Sequence, residues 1–496
     1  MASPEPPSGA NHNLKRQLGL RDLVLTQILC VVGSSWVGVA AGLGRAQSLT
    51  WVAAMLVFYL PMAGSVIALN RKMPLEGGLY VWAREAFGEL GGFLTAWNIG
   101  VYGIAVTATI LYAIPTELAY LIGPRASWLP ENHLASLAII SLMVLAITFA
   151  SVRGLEWGKW IHNIGGVAMV VVFAGLIALP TWALVRHVPV HWTPFTLALP
   201  HSDMRTFALF GQMIFGALCG LEYIAILAGE SRQPAEAIGK SVWIASPVIC
   251  AMFILGTGSV VALVPQGSID FIAPIPQTMR VALGNAGLGN LFAMTAIILV
   301  EMRLLGAASF IFTGATRLPM AAGWDHLVPA WFTRLHPRWR TPSNSIYFAS
   351  GLVLLLVVLA NAGVHAQEAF QVLSNASETH YEVAYLAMFA VPLAGSVVLR
   401  RSLPVWLKWT SIVGFCATGF SLLISAYPFV TVVNARAYAA KILGTLLLSN
   451  LVAICFYRLR SRAPALQEEM ERNPVGAPAD APRLKPLAAG EIAPEP

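Results

Sequence analysis

Between residues 23 and 457 the chain is a succession of apolar runs separated by short polar connections. Each run is about as long as a helix must be to cross a hydrocarbon layer. Twelve are read, at 23–44, 51–69, 92–113, 134–151, 161–185, 206–228, 242–264, 288–315, 344–362, 371–398, 407–427 and 438–457. Such a chain has few ways to fold. In lipid every backbone N–H and C=O must be bonded internally, which leaves helices or closed barrels, and runs of this length are helical. The expected fold class is an all-α integral membrane protein with 12 transmembrane helices.

Composition removes the alternatives. Only 11% of the 496 residues are charged and 57% are hydrophobic, whereas a soluble domain carries about 25% charge. Disorder requires the opposite balance. Five cysteines are too few for a disulfide scaffold, and all lie inside apolar runs, where cysteine acts as a small hydrophobe. The net charge of +7 does not point to nucleic acid, because its placement follows the membrane. With the N-terminus inside, 23 of the 31 Lys and Arg residues fall on the inner side, seven fall outside, and Arg303 lies within a run. The positive-inside rule therefore places both termini in the cytoplasm of a cell-membrane protein. The first run follows Lys15, Arg16 and Arg21, exceeds a signal-peptide core and lacks a small-residue cleavage site. Residues 1–19 read as a cytoplasmic tail, 20–460 as the transmembrane domain, and 461–496, rich in Ala, Pro and Glu, as a disordered tail.

Two runs are interrupted by glycine. The first contains Gly33-Ser34-Ser35-Trp36-Val37-Gly38, and the sixth contains Gly211, Gly216, Cys219-Gly220-Leu221 and Glu222. They lie five runs apart, and five helices per half would make the second half an inverted copy of the first. Small residues also serve close helix packing in membranes. As mid-membrane breaks, they would expose free N–H groups and carbonyls, the two poles that a zwitterion needs. The substrate-binding candidates are Gly33, Ser34, Ser35, Trp36, Gly38, Cys219, Gly220 and Leu221; Trp36 is equally readable as a packing residue.

Ionisable residues inside the runs are functional candidates, since a central Arg, Lys or Asp costs about 2.5–3.5 kcal/mol to insert. Glu222 follows the second break. Glu301 and Arg303, two apart, face different sides of a helix and need partners elsewhere. Glu378 and Glu382 share a face, with Ser374 alongside and His380 nearby. These five, Glu222, Glu301, Arg303, Glu378 and Glu382, are candidates for gating or proton coupling, or else for structural pairing. Glu117, near the end of the third run, is expected at the outer surface in contact with water. The ten His are scattered, and no HExxH or CxxC occurs, so no enzyme, metal or cofactor is expected.

The same residues resemble the amino acid–polyamine–organocation permeases, most closely the bacterial amino acid permeases, over roughly residues 14 to 460. Gly33-Ser34-Ser35-Trp36 is similar to the unwound segment of that family. Pro74-Leu75-Glu76-Gly77-Gly78-Leu79-Tyr80 resembles its Pro-x-x-Gly-Gly-x-Tyr signature. Cys219-Gly220-Leu221-Glu222 and Gly229-Glu230-Ser231-Arg232-Gln233-Pro234 resemble its sixth-span elements. Ala315-Thr316-Arg317, Leu327-Val328-Pro329 and Thr341-Pro342 resemble its loop after the eighth span.

The resemblance implies a LeuT-like 5+5 inverted repeat (about 20–187 and 204–400) plus two C-terminal helices (about 405–458), with substrate at the two breaks. It implies a secondary transporter of amino acids working by alternating access, through proton coupling or exchange, with polyamines or cationic amino acids as the alternative substrates. Glu222 would serve gating or coupling. Three positions depart from the pattern. Ala68 stands where many members have Glu, Leu221 replaces an aromatic gate, and Met169 lies near where some members place a Lys. Arg303 is expected to supply that missing cation, close to the first break.

Overall fold

A computed structural model describes residues 19–72, 78–154, 156–191, 196–221, 234–321, 328–394 and 404–460. The described residues are helical, with no strand among them. In chain order the helices are α1 (Leu20–Val31), α2 (Ser34–Ala41), α3 (Gln47–Ala54), α4 (Leu60–Lys72), α5 (Leu79–Ile122), α6 (His133–Arg153), α7 (Glu156–Val185) and α8 (Met204–Ile214). They continue with α9 (Pro234–Leu263), α10 (Pro274–Leu283), α11 (Gly287–Ala321), α12 (Ala330–Thr333), α13 (Ser343–Asn361), α14 (Ala366–Ala394), α15 (Val405–Ile424) and α16 (Ala435–Arg460).

Nine helices among the described residues are long and apolar enough to cross a membrane, and the bent pair α1 and α2 makes a tenth. The remaining two expected runs behave differently. Of the sixth, only residues up to Leu221 are described. The tenth coincides with α14, a helix long enough to span but rich in polar groups. Its polarity follows from its place: nearly every residue from Ala366 to Tyr385 is buried in protein. It packs chiefly against α5 and α15, so its polar side chains find partners there. The outward-facing helices show the reverse. Leu142, Leu145 and Phe149 of α6 and Leu447, Leu448 and Leu451 of α16 are exposed, as lipid-facing side chains are.

Local sequence sets the irregularities. Between α1 and α2 the axis bends by 51°. Gly33 is extended there, and a Cβ on it would lie 2.6 Å from the Trp36 indole, which folds back over the break. α3 passes into α4 through a π-helical turn, Met55–Tyr59, which turns Phe58 into an aromatic cluster with Phe215, Tyr385 and Phe389. In α5 the helix is broken at Gly88, whose φ of 81° is left-handed. α8 starts on an Asp203 cap that accepts from the Thr206 N–H and unwinds after Ile214. In the turn that follows, the Ala217 N–H reaches back to the Gln212 carbonyl and Gly220 adopts a φ of 105°.

Candidate functional site

The two unwound segments meet at one cavity of about 80 Å³. Gly33, Ser34, Ser35 and Trp36 line it from the start of α2, and Gly216 and Cys219 from the turn after α8. Tyr102 and Thr109 of α5, Arg303 and Ala307 of α11, and Phe370, Ser374 and Glu378 of α14 complete the polar and aromatic wall. Contact between the segments is close. A Cβ on Gly216 would lie 2.7 Å from the Trp36 ring and 2.8 Å from a Glu378 oxygen. Glycine is thus required there by space.

The cavity has two poles. At one, α2 begins without a side-chain cap, so its first N–H groups carry the partial positive charge of a helix start. Arg303 lines the same cavity, 6% exposed, and donates from Nη2 to the Leu29 carbonyl at 3.2 Å, near the end of α1. The cation therefore sits beside the break and satisfies a carbonyl of the last α1 turn. At the other pole, the Glu378 carboxylate accepts from Ser374 Oγ at 2.7 Å and from Gln212 Nε2 at 2.9 Å. Gln212 also donates to Asn375 Oδ1 at 2.8 Å, and Asn375 donates to Tyr438 Oη at 2.9 Å and to the Ser425 carbonyl. The network joins α8, α14, α15 and α16.

The other expected residues lie around this cavity rather than in it. Gly38 is packed against Pro274, with a Cβ position 2.9 Å from that ring and 3.2 Å from the Asp270 carbonyl. The Gly220 N–H donates to Tyr385 Oη at 3.1 Å, and Leu221 is fully buried in the apolar core. Neither lines the cavity. Glu382 lies one turn beyond Glu378, buried, and its Oε2 has no partner among the described residues. His380 Nδ1 pairs with the Ala376 carbonyl at 2.7 Å. Glu222 lies outside the described residues, as do residues 73–77 of the Gly-Gly-x-Tyr element and both tails. Ala68 and Met169 are buried in the apolar core.

One expectation is overturned. Glu117 is not at a wet surface: it is 0% exposed, and Ser34 Oγ donates to its Oε1 at 3.5 Å. The third run stops at residue 113 by hydropathy, but α5 continues to Ile122 and buries Glu117 against the break. Its second oxygen has no partner among the described residues, and neither has Glu301 Oε1. Glu301 and Arg303 both act electrostatically on Glu117.

Sequence reasoning also passed over the aromatic wall. Tyr102 stacks on Tyr381 with centroids 3.8 Å apart, and Phe215 meets Tyr381 and Tyr385 edge-on. These rings lie beside the second break, where the sequence has Leu221 in place of an aromatic. The signal available was the period of α14: Ser374, Glu378, Tyr381 and Tyr385 recur at helical spacing on one face.

A second hollow, about 360 Å³, is lined by Thr116, Tyr120, Asp270 and Arg280 among others, and Ile272 lines both hollows. Asp270 holds the segment leading into α10. Its Oδ1 accepts from the Ile272 and Ala273 N–H groups, and Tyr120 Oη donates to Oδ2 at 3.0 Å. Burial pushes the Asp270 carboxyl above its usual range.

Apolar helices around a buried, polar, broken-helix cavity indicate a multi-pass membrane protein. The sequence profile of the family described as "Amino acid permease" matches residues 23–449, and the chain belongs to that family. An uncharacterized transporter of Legionella pneumophila is 26% identical over 79% of this chain and 83% of its own. A branched-chain amino acid permease of Bacillus subtilis is 25% identical over 69% of this chain and 75% of its own. A serine/threonine exchanger of the same organism is 23% identical over 71% and 78%. The family and these relatives are transporters, and amino acid transport is the activity they support for this chain.

Proposed function

We propose that the chain is a secondary active transporter that binds a free amino acid in the cavity between the 33–36 and 216–219 segments and moves it by alternating access. One observation carries this reading: both helix interruptions open onto the same cavity, which offers opposite charges at its ends. The substrate carboxylate meets the unpaired N–H groups at the start of α2, the Ser34 and Ser35 hydroxyls and Arg303. The ammonium group meets Glu378, and the apolar wall of Val106, Ile110, Ile311 and Phe370 receives the side chain. The surrounding architecture is read as twelve spans, two inverted repeats of five plus two C-terminal helices, with both termini in the cytoplasm. A proton gradient or exchange against a second amino acid drives the cycle, with Glu222 in gating or coupling.

Glu378 favours a second reading, in which the substrate is a polyamine or cationic amino acid and the acidic pole dominates. Proteoliposomes separate the two. Vesicles loaded with an unlabelled L-amino acid should take up the labelled form saturably, with putrescine and spermidine failing to compete. Competition by those carboxylate-free amines would favour the second reading. Absence of uptake for every common amino acid would remove the first.

A further inference from the structure

Away from the cavity, the end of α6 gathers cations beside an apolar face. Leu142, Leu145 and Phe149 are exposed and share one side of that helix by their spacing. Arg153, also exposed, continues the same stripe by one more turn. Its guanidinium lies 4.1 Å from the centre of the Phe149 ring and 5.7 Å from that of Trp339. Along one face the surface thus passes from aliphatic to aromatic to cationic, the order met where hydrocarbon gives way to headgroups.

Trp339 reaches this corner on an ordered loop. Thr341 Oγ1 donates to the Val152 carbonyl at 2.7 Å, which ties the loop to the last turn of α6. The His336 N–H donates to the Thr341 carbonyl at 2.7 Å, and the Arg340 N–H to the His336 carbonyl at 2.9 Å. The Arg338 and Trp339 N–H groups point to His336 Nδ1 at 3.2 and 3.3 Å. Arg340 is held at a φ of 56°, in the left-handed region that a bulky side chain rarely adopts. The Arg338 guanidinium lies 4.7 Å from the centre of the Trp339 ring. Arg338 and Arg340 are exposed. Among the described residues none of Arg153, Arg338 and Arg340 pairs with a carboxylate. The sequence supplies none nearby: α6 and residues 330–361 contain no Asp or Glu, and just past α6 Glu156 is matched by Lys159.

We propose that Arg153, Arg338, Arg340 and Trp339 bind the headgroup of an anionic phospholipid, whose acyl chain lies along Leu142, Leu145 and Phe149. Three guanidiniums brought to one corner repel one another, and an anion among them relieves that repulsion. Guanidinium forks match phosphate oxygens with paired N–H donors. An indole beside them suits the depth of the headgroups. The apolar stripe selects a lipid over a soluble anion, because it runs directly into the cations and matches both parts of one amphipathic molecule. The excess of positive charge selects an acidic headgroup over a zwitterionic one, which brings a cation of its own. With both termini read as cytoplasmic, the corner faces the inner leaflet, where anionic lipids attract clustered Lys and Arg. The lipid joins α6 to the loop before α13, and its binding does not depend on what the cavity holds.

The test uses the purified full chain in mild detergent, with melting temperature as the readout of binding. Dioleoyl phosphatidylglycerol should raise the melting temperature saturably. Dioleoyl phosphatidylcholine and free glycerol phosphate at the same concentration should not. The triple variant Arg153→Gln, Arg338→Gln and Arg340→Gln should need about tenfold more phosphatidylglycerol, or more, for half of the shift. A second triple variant, Arg71→Gln, Arg84→Gln and Lys408→Gln, removes equal charge elsewhere and should respond as wild type does. If the first triple variant does not fold, Arg153→Gln alone carries the comparison, with an expected weakening of about threefold or more. A wild-type response in the variant of this corner overturns the proposal, as does an equal loss in the second triple variant, which would mean diffuse attraction to surface charge. An equal shift from phosphatidylcholine removes the selection by charge, and an equal shift from glycerol phosphate removes the lipid. Either result overturns the proposal, as does the absence of any shift in wild type.

Discussion

Glu378 and Glu117 flank the same broken-helix region at nearly equal burial, 4% and 0% exposed, yet they are treated in opposite ways. Both Glu378 oxygens are bonded, to Ser374 and Gln212, and the amides of Gln371 and Asn375 extend the network behind them. Glu117 has one contact, to Ser34 at the 3.5 Å limit of a hydrogen bond, and one oxygen with no partner among the described residues. Burial alone therefore does not define a role. A carboxylate whose bonds are all made is fixed in position and suits the holding of a substrate group. A carboxylate left short of partners gains most from a change in its charge or its neighbours.

The strongest challenge to the Glu378 side comes from Gly216. A leucine there drives carbon into the Trp36 ring and the Glu378 carboxylate at once. Overpacking of this kind costs about 1–3 kcal/mol, and because it fills the cavity, ligand affinity should fall by about 100-fold or more, roughly 2.7 kcal/mol. A thermal-shift titration of Gly216→Leu that matches wild type would remove the second break from the site. Removing the carboxylate itself comes next. Glu378→Leu strands Ser374 and Gln212, and each buried group left unpaired costs about 1–3 kcal/mol. Glu117→Gln strands little and should stay within about 1 kcal/mol of wild type. Thermal denaturation of both variants in one detergent reads the contrast. Equal losses would erase the distinction between a fixed and an unsettled carboxylate.

Much of this was legible in the chain. Hydropathy located the helices because lipid enforces it, and the Gly33-Ser34-Ser35 run announced the first break because only glycine admits the folded-back Trp36 ring. Arg303 was legible as a cation that needs a partner on another helix, and the Leu29 carbonyl of α1 is one. The failures share one physical cause. Hydropathy averages over a window, so it ended the third run before Glu117, whereas burial of Glu117 depends on α2 and α11 lying against a helix that continues for two more turns. Of the Cys219-Gly220-Leu221 motif, Cys219 lines the cavity together with Gly216, whereas Gly220, which is left-handed, and Leu221 do not. The partner of the Gly220 N–H, Tyr385, is 165 residues away, a distance that no local pattern spans.

Between these two extremes lies Tyr385→Phe, which removes only the hydroxyl that receives the Gly220 N–H. The expected cost is about 1 kcal/mol in stability. Affinity should change less than in Gly216→Leu, because the ring and its packing on Phe215 remain. A loss as large as that of Gly216→Leu would mean that the hydroxyl itself touches the ligand.

The smallest effect tests a third carboxylate, Asp270, which is fully bonded like Glu378 but stands outside the spans. Burial raises its proton affinity in the folded chain above the unfolded value of about 3.9. A raised carboxyl contributes stability below the unfolded value and loses it as pH climbs through the folded one. Asp270→Asn keeps an Oδ1 acceptor for the Ile272 and Ala273 N–H groups and cannot ionise. The stability advantage of wild type over Asp270→Asn should therefore shrink as pH rises from about 4 to 7. Melting temperatures of the two proteins across that range decide it. An advantage that grows with pH would mean that the ionised carboxylate is the favoured form. Asp270 would then belong with residues that need their charge, and full hydrogen bonding would no longer separate it from Glu117.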